Sequence, residues 1–330
     1  MRVLVTGGSG FFGLNLVRCL AQADEVMRVI AADLAPDERV RRFVAPAADR
    51  VEFVSLDVRD RAALIRLVSQ AAVTHVVHAA AITPDAAREQ AQSDLVVDVN
   101  LGGTVNVLEA LRAVETVQRV LLVSSSGVYG APAESLAAAQ TEDGPLQLGN
   151  LYAITKYSAE LLGERYAELC GRPVAAVRLA ALYGPMERPT AGRGQMSQPT
   201  QLVAALRSGR AVRVAGAAVT RDWTYVADAA EAVRALLLAP VWRYGVYNVG
   251  TGCGSTFGRL VELLVARGLR ATWVDEPAAA DIAMRPEQAR LPLDIRRLRE
   301  ETGFSPRYDL ANGLADYLKW LEEELYNGSE

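Results

Sequence analysis

Tyr152 and Lys156 stand four residues apart in "LYAITKYS", and in a helix that spacing puts both side chains on one face. A phenol with a pKa of about 10 is a poor base at neutral pH. A neighbouring ammonium favours the phenolate and lowers that value, so the pair can exchange a proton with a substrate hydroxyl. A further hydroxyl is needed to hold the substrate oxygen. The stretch "SSSGVYG", residues 124–130, follows an apolar run and so falls at a strand's carboxyl end, where ligands bind in parallel sheets. Ser125 is the candidate. Ser124 and Ser126 are expected to serve the backbone turn, with Ser126 also bordering the substrate. Alone, two residues at this spacing are common on helix surfaces; their weight comes from what surrounds them.

A second chemistry is written into "RVLVTGGSGFFG", residues 2–13. A strand pattern runs into Gly7, Gly10 and Gly13 and then into an apolar helix, the context in which a glycine motif carries meaning. The first glycine makes a tight turn, the second lets the main chain approach a pyrophosphate, and the third lets the helix press on the strand. The phosphates then rest on free N–H groups at the helix N-terminus, and no basic side chain is required. The spacing is GxxGxxG rather than GxGxxG. Asp33 ends the second apolar run, 20 residues after Gly13. A carboxylate there bonds the ribose hydroxyls and repels a 2′-phosphate, which favours NAD over NADP. Asp57, in "LDV", could meet the adenine amino group or simply cap a helix.

These residues need elements to hold them. "RVLVT" (2–6), "MRVIAAD" (27–33), "VEFVSLDV" (51–58), "HVVHAAA" (75–81), "RVLLVSSS" (119–126) and "PVAAVRL" (173–179) alternate with helical patterns. The strands are rich in Val, Ile and Leu with little alternation, so both faces are buried. The fold class is therefore α/β, a doubly wound parallel sheet. After about residue 180 the rhythm breaks in the Gly- and Pro-rich "YGPMERPTAGRGQMSQP". "DWTYVADAAEAVRALLLA" reads as a helix returning to the sheet and "GVYNVG" as another strand. The expected division is 1–179 with 223–252 for dinucleotide binding, and 180–222 with 253–330 for a smaller, discontinuous substrate unit.

Bulk properties exclude other classes. With 330 residues and 51% hydrophobic content the chain can bury a large core. A net charge of −4 argues against nucleic-acid binding. Cys19, Cys170 and Cys253 are far apart and match no metal spacing, which fits a reducing, cytoplasmic setting. No signal-peptide layout opens the chain, and the apolar run near 71–82 is too short for a bilayer. His75 and His78, three apart in a strand, point to opposite faces, so no metal pair is expected.

Taken together, "TGGSGFFG", "LDVRD", "HAAA", "VNLGGTVNVLEA", "VSSSGVYG", "YAITK", "RLAALYGP", "TRDWTYVADAAEAV" and "YNVG" resemble the extended short-chain dehydrogenase/reductases, the NAD-dependent epimerase/dehydratase group. The resemblance covers nearly the whole chain. It implies that Gly7, Gly10 and Gly13 hold the NAD pyrophosphate, with Phe11 and Phe12 lending backbone amides. It implies that Asp33 takes the ribose, Asp57 and Val58 the adenine, and Ala79, Ala80 and Ala81 the cofactor's flank. Asn100 would sit behind the nicotinamide, with Ser125, Tyr152 and Lys156 as the catalytic triad, Lys156 also holding the nicotinamide ribose.

Two departures narrow the activity. Dehydratases of this group carry Thr-Asp-Glu at the positions of Ser125, Ser126 and Gly127, and those acids drive water loss. Ser126 and Gly127 cannot, so 4,6-dehydration is not expected. Nucleotide-sugar members carry an asparagine near "YGP", where this chain has Ala180 and Ala181. Arg221 and Arg285 match arginines that grip a substrate diphosphate, and Arg193 could add a contact. Arg221 could equally meet a sugar carboxylate or a nearby Asp. The expectation is oxidation of a secondary hydroxyl of a sugar-type substrate: a nucleotide-sugar epimerase with a transient ketone, or a net dehydrogenase of a sugar or sugar acid. A non-catalytic NAD-binding sensor is the reading from another class. The resemblance also implies a homodimer, through the helices containing 100–112 and 152–168.

Overall fold

The computed structural model describes residues 1–35, 38–132 and 139–327. Six strands come first: β1 (Arg2–Thr6), β2 (Arg28–Asp33), β3 (Val51–Ser55), β4 (His75–His78), β5 (Arg119–Ser125) and β6 (Val174–Leu179). With Val246–Val249 they form one sheet in the order Val246–Val249, β6, β5, β4, β1, β2, β3, parallel throughout. The strand order reverses between β1 and β4, and a crevice opens beyond the carboxyl ends at such a point. Every residue of β4 and β6 is buried. One apolar layer, under α1 (Phe11–Ala21) and the helix Val226–Leu238, covers one face. A second, under the helices Arg61–Gln70 and Gly103–Ala113, covers the other.

A separate core gathers Tyr183, Leu202, Val214, Trp223, Tyr225, Phe257, Leu260 and Leu314. It is built on a three-stranded sheet in which Val212–Ala215 lies between Ala271–Trp273 and Ile282–Ala283.

Local details differ from the sequence reading. "DWTY" is not the start of a helix: Trp223–Tyr225 pairs in parallel with Ala181–Tyr183, and the helix begins at Val226. Aromatic and β-branched residues suit that ladder. The stretch from Val99 is not one regular helix either. Asp98–Gly102 forms a π-turn before the α-helix Gly103–Ala113. Leu298 and Phe304, from a stretch expected in the smaller unit, pack in the core of the large sheet, because the helix Arg296–Thr302 returns beside Val246–Val249. Among the described residues no helix is long and apolar enough to cross a membrane.

Candidate active site

A cleft of about 490 Å³ opens at the carboxyl ends of the strands, floored by Gly7, Gly10 and Gly13 and walled by Ser125, Tyr152, Lys156 and Arg221. Gly7 has φ +69°, and a Cβ there would lie 2.7 Å from the Ala80 backbone nitrogen. A Cβ on Gly13 would run into the Gly7 carbonyl oxygen. The turn is closed by the Gly10 N–H on the Gly7 carbonyl, at 3.0 Å. Side chains cap the helices that begin after Asp60, Asn150, Ser197 and Thr256. None caps α1, where Gly10 is the N-cap. Ser9 Oγ, in the same turn, is buried without a partner among the described residues.

Asp33 is fixed by its neighbours: Oδ2 accepts the Ser9 N–H at 3.0 Å and Oδ1 the Leu34 N–H at 2.8 Å. Each oxygen keeps acceptor capacity for a ribose hydroxyl. Asp57 is different. Arg59 grips both its oxygens, at 2.6–3.1 Å, and holds the carboxyl below its usual range. The Val58 carbonyl accepts Asn106 Nδ2 at 3.0 Å. Ala79 and Ala81 line the cleft and the Ala80 backbone backs the glycine turn. Asn100 is buried in the π-turn and does not line the cleft. Its amide clamps the Ile82 backbone, at 2.7 and 3.0 Å, and donates to Thr155 Oγ1 at 3.2 Å. It therefore positions the loop after β4.

Ser125 ends β5 and caps the turn Ser126–Tyr129, its Oγ accepting the Gly127 N–H at 3.1 Å. Tyr152 opens the helix Leu151–Cys170, and the hydroxyls of Ser125 and Thr83 lie close enough to its own to favour the phenolate. Lys156, one turn on, is buried and donates to the Val123 carbonyl at 2.7 Å. The phenol does not behave as the spacing suggested. Burial pushes Tyr152 above its ordinary value, and the hydroxyls of Ser125 and Thr83 and the Arg193 cation offset only part of that rise. The Lys156 ammonium is aimed at a carbonyl and lies 5.7 Å from the ring centre, not on the phenol oxygen. Thr83 escaped the sequence reading because it lies in a loop with no motif. Ser124 was expected to serve the turn; instead it donates to the Glu160 carboxylate. Ser126 is buried and lines the cleft. His75 and His78 bond separate threonines: His75 bonds Thr74, and His78 bonds Thr6 and Thr104.

The far wall is cationic. Among the described residues, Arg221 Nε, Arg290 Nε and Trp223 Nε1 are buried donors with no partner, while Arg290 Nη1 donates to the Glu287 and Ala289 carbonyls at 2.9 and 2.6 Å. Burial, with Arg290 and Arg193 nearby, pulls Arg221 down to about 10. Asp222 does not neutralise it: that carboxylate accepts from Thr224, Thr251, Gly252 and Leu293 at 2.6–3.1 Å. Arg285 is exposed and outside the cleft. The turn Pro286–Gln288 carries the chain inward, and Arg290 stands where Arg285 was expected. Arg193 reaches the cleft, paired with the buried Glu187 at 2.7 Å and 5.6 Å from the Phe11 ring centre.

A dinucleotide turn at the switch point of a parallel sheet, with a tyrosine–lysine helix behind β5, defines the extended short-chain dehydrogenase/reductases. The chain belongs to the NAD dependent epimerase/dehydratase family, whose pattern matches residues 3–250. It is 29% identical to a putative UDP-glucose 4-epimerase of Methanocaldococcus jannaschii, over 97% of this chain and 98% of the relative. It is 32% identical to a UDP-glucose 4-epimerase of Mycolicibacterium smegmatis, over 98% and 99%. Among solved structures, dTDP-glucose 4,6-dehydratase from Bacillus anthracis in complex with NAD has a TM-score of 0.81 at 25% identity, covering 98% of this chain and 97% of that one. The chain is an NAD-dependent enzyme. The uncapped N-terminus of α1, the orphaned Ser9 hydroxyl and the glycine cradle fit NAD.

Proposed function

We propose that this enzyme inverts a secondary hydroxyl of a nucleotide sugar. The observation that carries the reading is the wall of three N–H groups without a partner among the described residues, Arg221 Nε, Arg290 Nε and Trp223 Nε1, facing Tyr152 across one cleft. Buried guanidinium N–H groups left without a partner are costly, and a diphosphate answers two of them bidentately. Phe11, Phe12 and Gly13 would hold the NAD pyrophosphate, Asp33 its ribose, and Lys156 the ribose near the reacting ring. Bound there, NAD would supply a hydride acceptor for the carbinol carbon and, once the ketone has turned over, a hydride donor to its other face. Once its own proton has passed to solvent on loading of the cleft, the Tyr152 phenolate takes the hydroxyl proton and gives it back, while Ser125 Oγ and Thr83 Oγ1 hold the oxygen in place. Ser126 and Gly127 offer no carboxyl for water loss, which supports inversion rather than dehydration.

One observation favours a second reading, a net dehydrogenase of a sugar acid: Ala180 and Ala181 line the cleft and offer no side-chain contact to a substrate phosphate. The test is incubation with NAD and either UDP-glucose or UDP-glucuronate. An inverting enzyme should give a 4-epimer on chromatography with no build-up of reduced nicotinamide. Stoichiometric NADH would favour the dehydrogenase.

We also propose a homodimer. Val97, Ile154 and Leu161 are 38–48% exposed on the helices Ser93–Val97 and Leu151–Cys170, an apolar face that a second copy would bury. The separate second core supports a division into two units. Three unpaired cysteines support a reducing, cytoplasmic setting.

A further inference from the structure

Proton transfer as described uses Ser125, Tyr152 and Lys156 and leaves a buried carboxylate without a task. Glu160 lies one turn beyond Lys156, so Tyr152, Lys156 and Glu160 run down one face of their helix. Each reaches a different residue at the end of β5. Tyr152 stands beside the Ser125 hydroxyl, Lys156 donates to the Val123 carbonyl, and Glu160 accepts the Ser124 hydroxyl. Glu160 is 7% exposed and Lys156 6%. On its other side Glu160 takes Arg178 Nη2 at 2.6 Å and Nε at 3.0 and 3.2 Å. Arg178 is anchored in turn on the Tyr129 hydroxyl and the Glu142 carbonyl, both at 2.9 Å.

We propose that Glu160 is a positioning residue for proton transfer, its carboxylate keeping the buried Lys156 ammonium charged while its bond to Ser124 holds Ser125 in register with Tyr152. The inference rests on the roles given above to Tyr152 and Lys156. Taking an ammonium out of water favours the neutral amine, and a nearby carboxylate opposes that loss. Burial pulls Lys156 down to about 8, and Glu160 works against the fall. The other groups facing Lys156 do not replace it. Tyr152, on the same helix, is raised by burial and neutral. His78, on β4, is held neutral by burial, at about 3. β5 presents the Val123 carbonyl, and Arg178, on β6, is a second cation that competes for the same carboxylate.

This charge arrangement gives opposite signs for two deletions. Removing Glu160 leaves two buried cations, so Lys156 should release its proton at lower pH. Removing Arg178 leaves the carboxylate to Lys156 alone, so its midpoint should rise. The chain has two lysines, Lys156 and the exposed Lys319. A lysine-selective NMR titration of the whole protein therefore reads Lys156 directly, without substrate. Glu160→Gln should lower the midpoint by roughly one unit or more, and Arg178→Met should raise it. Ser124→Ala, which removes the hydrogen bond but not the charge, should leave it in place. Activity should fall as pH rises through this midpoint, because the neutral amine loses its charge and one donor at the NAD ribose that Lys156 is proposed to hold. The alkaline limb should therefore move down with Glu160→Gln, costing about fivefold at pH 8 if the midpoint drops by one unit. A midpoint that stays put in folded Glu160→Gln or Arg178→Met overturns the proposal. If Glu160→Gln does not fold, the sign of the Arg178→Met shift decides. Inactivity of the parent enzyme toward every nucleotide sugar would defeat the proposed function and leave the NMR result standing.

Discussion

Tyr152 faces a cost that its sequence context does not reveal: burial raises its pKa, and the groups that lower it are Ser125, Thr83 and Arg193. The phenol is thus held protonated in the free enzyme, and proton transfer depends on what enters the cleft. Tyr152→Phe should lower kcat by about 10²- to 10⁴-fold, the usual span for a general acid–base group. It should leave NAD affinity unchanged by calorimetry; an NAD sensor would be indifferent to the change. At the cationic wall, Arg290→Ala should raise KM about tenfold to a hundredfold, as expected for loss of a charge-assisted contact worth about 1.5–3 kcal/mol. Arg285→Ala should leave KM unchanged. Steady-state kinetics on the two variants tests the placement directly. Arg290 was not legible because its reach depends on the short turn Pro286–Gln288, which displaces the chain between two arginines five residues apart. Glu160 was legible as a helical spacing, yet its meaning required Arg178 from β6.

At the level of elements, the glycine turn and the β–α alternation were readable because their causes are local. Unbroken apolar runs mark strands covered on both faces, and glycine marks positions where a side chain cannot fit. Gly7→Ala meets both obstacles, a left-handed φ and the Ala80 backbone. It should destabilise the fold by about 1–3 kcal/mol and abolish NAD binding; thermal unfolding and calorimetry check the two effects. The π-turn Asp98–Gly102 was not readable. It is secured by Asn100, whose partners Ile82 and Thr155 come from two other segments. The short strand Trp223–Tyr225 was misread for a related reason, since its partner Ala181–Tyr183 lies about forty residues earlier in the chain.

At the level of the whole molecule, side chains from both halves of the chain meet at one cleft. The large sheet supplies the dinucleotide turn and the Ser125–Tyr152–Lys156 end, and the segments beyond residue 180 supply Arg193, Arg221 and Arg290. The proposed dimer predicts a light-scattering mass of twice 35.5 kDa, reduced toward 35.5 kDa by Leu161→Glu. A parent protein that runs as a monomer contradicts it. Inversion by transient oxidation makes a sharper demand. The hydrogen on the inverted carbon must never meet solvent, because it leaves and returns within the closed cleft. The decisive measurement is turnover of UDP-glucose with NAD in deuterium oxide, with the product read by proton NMR. Transient oxidation predicts a 4-epimer carrying no deuterium at the inverted carbon. Deuterium at that carbon would mean that the hydrogen exchanges with water, and would contradict it.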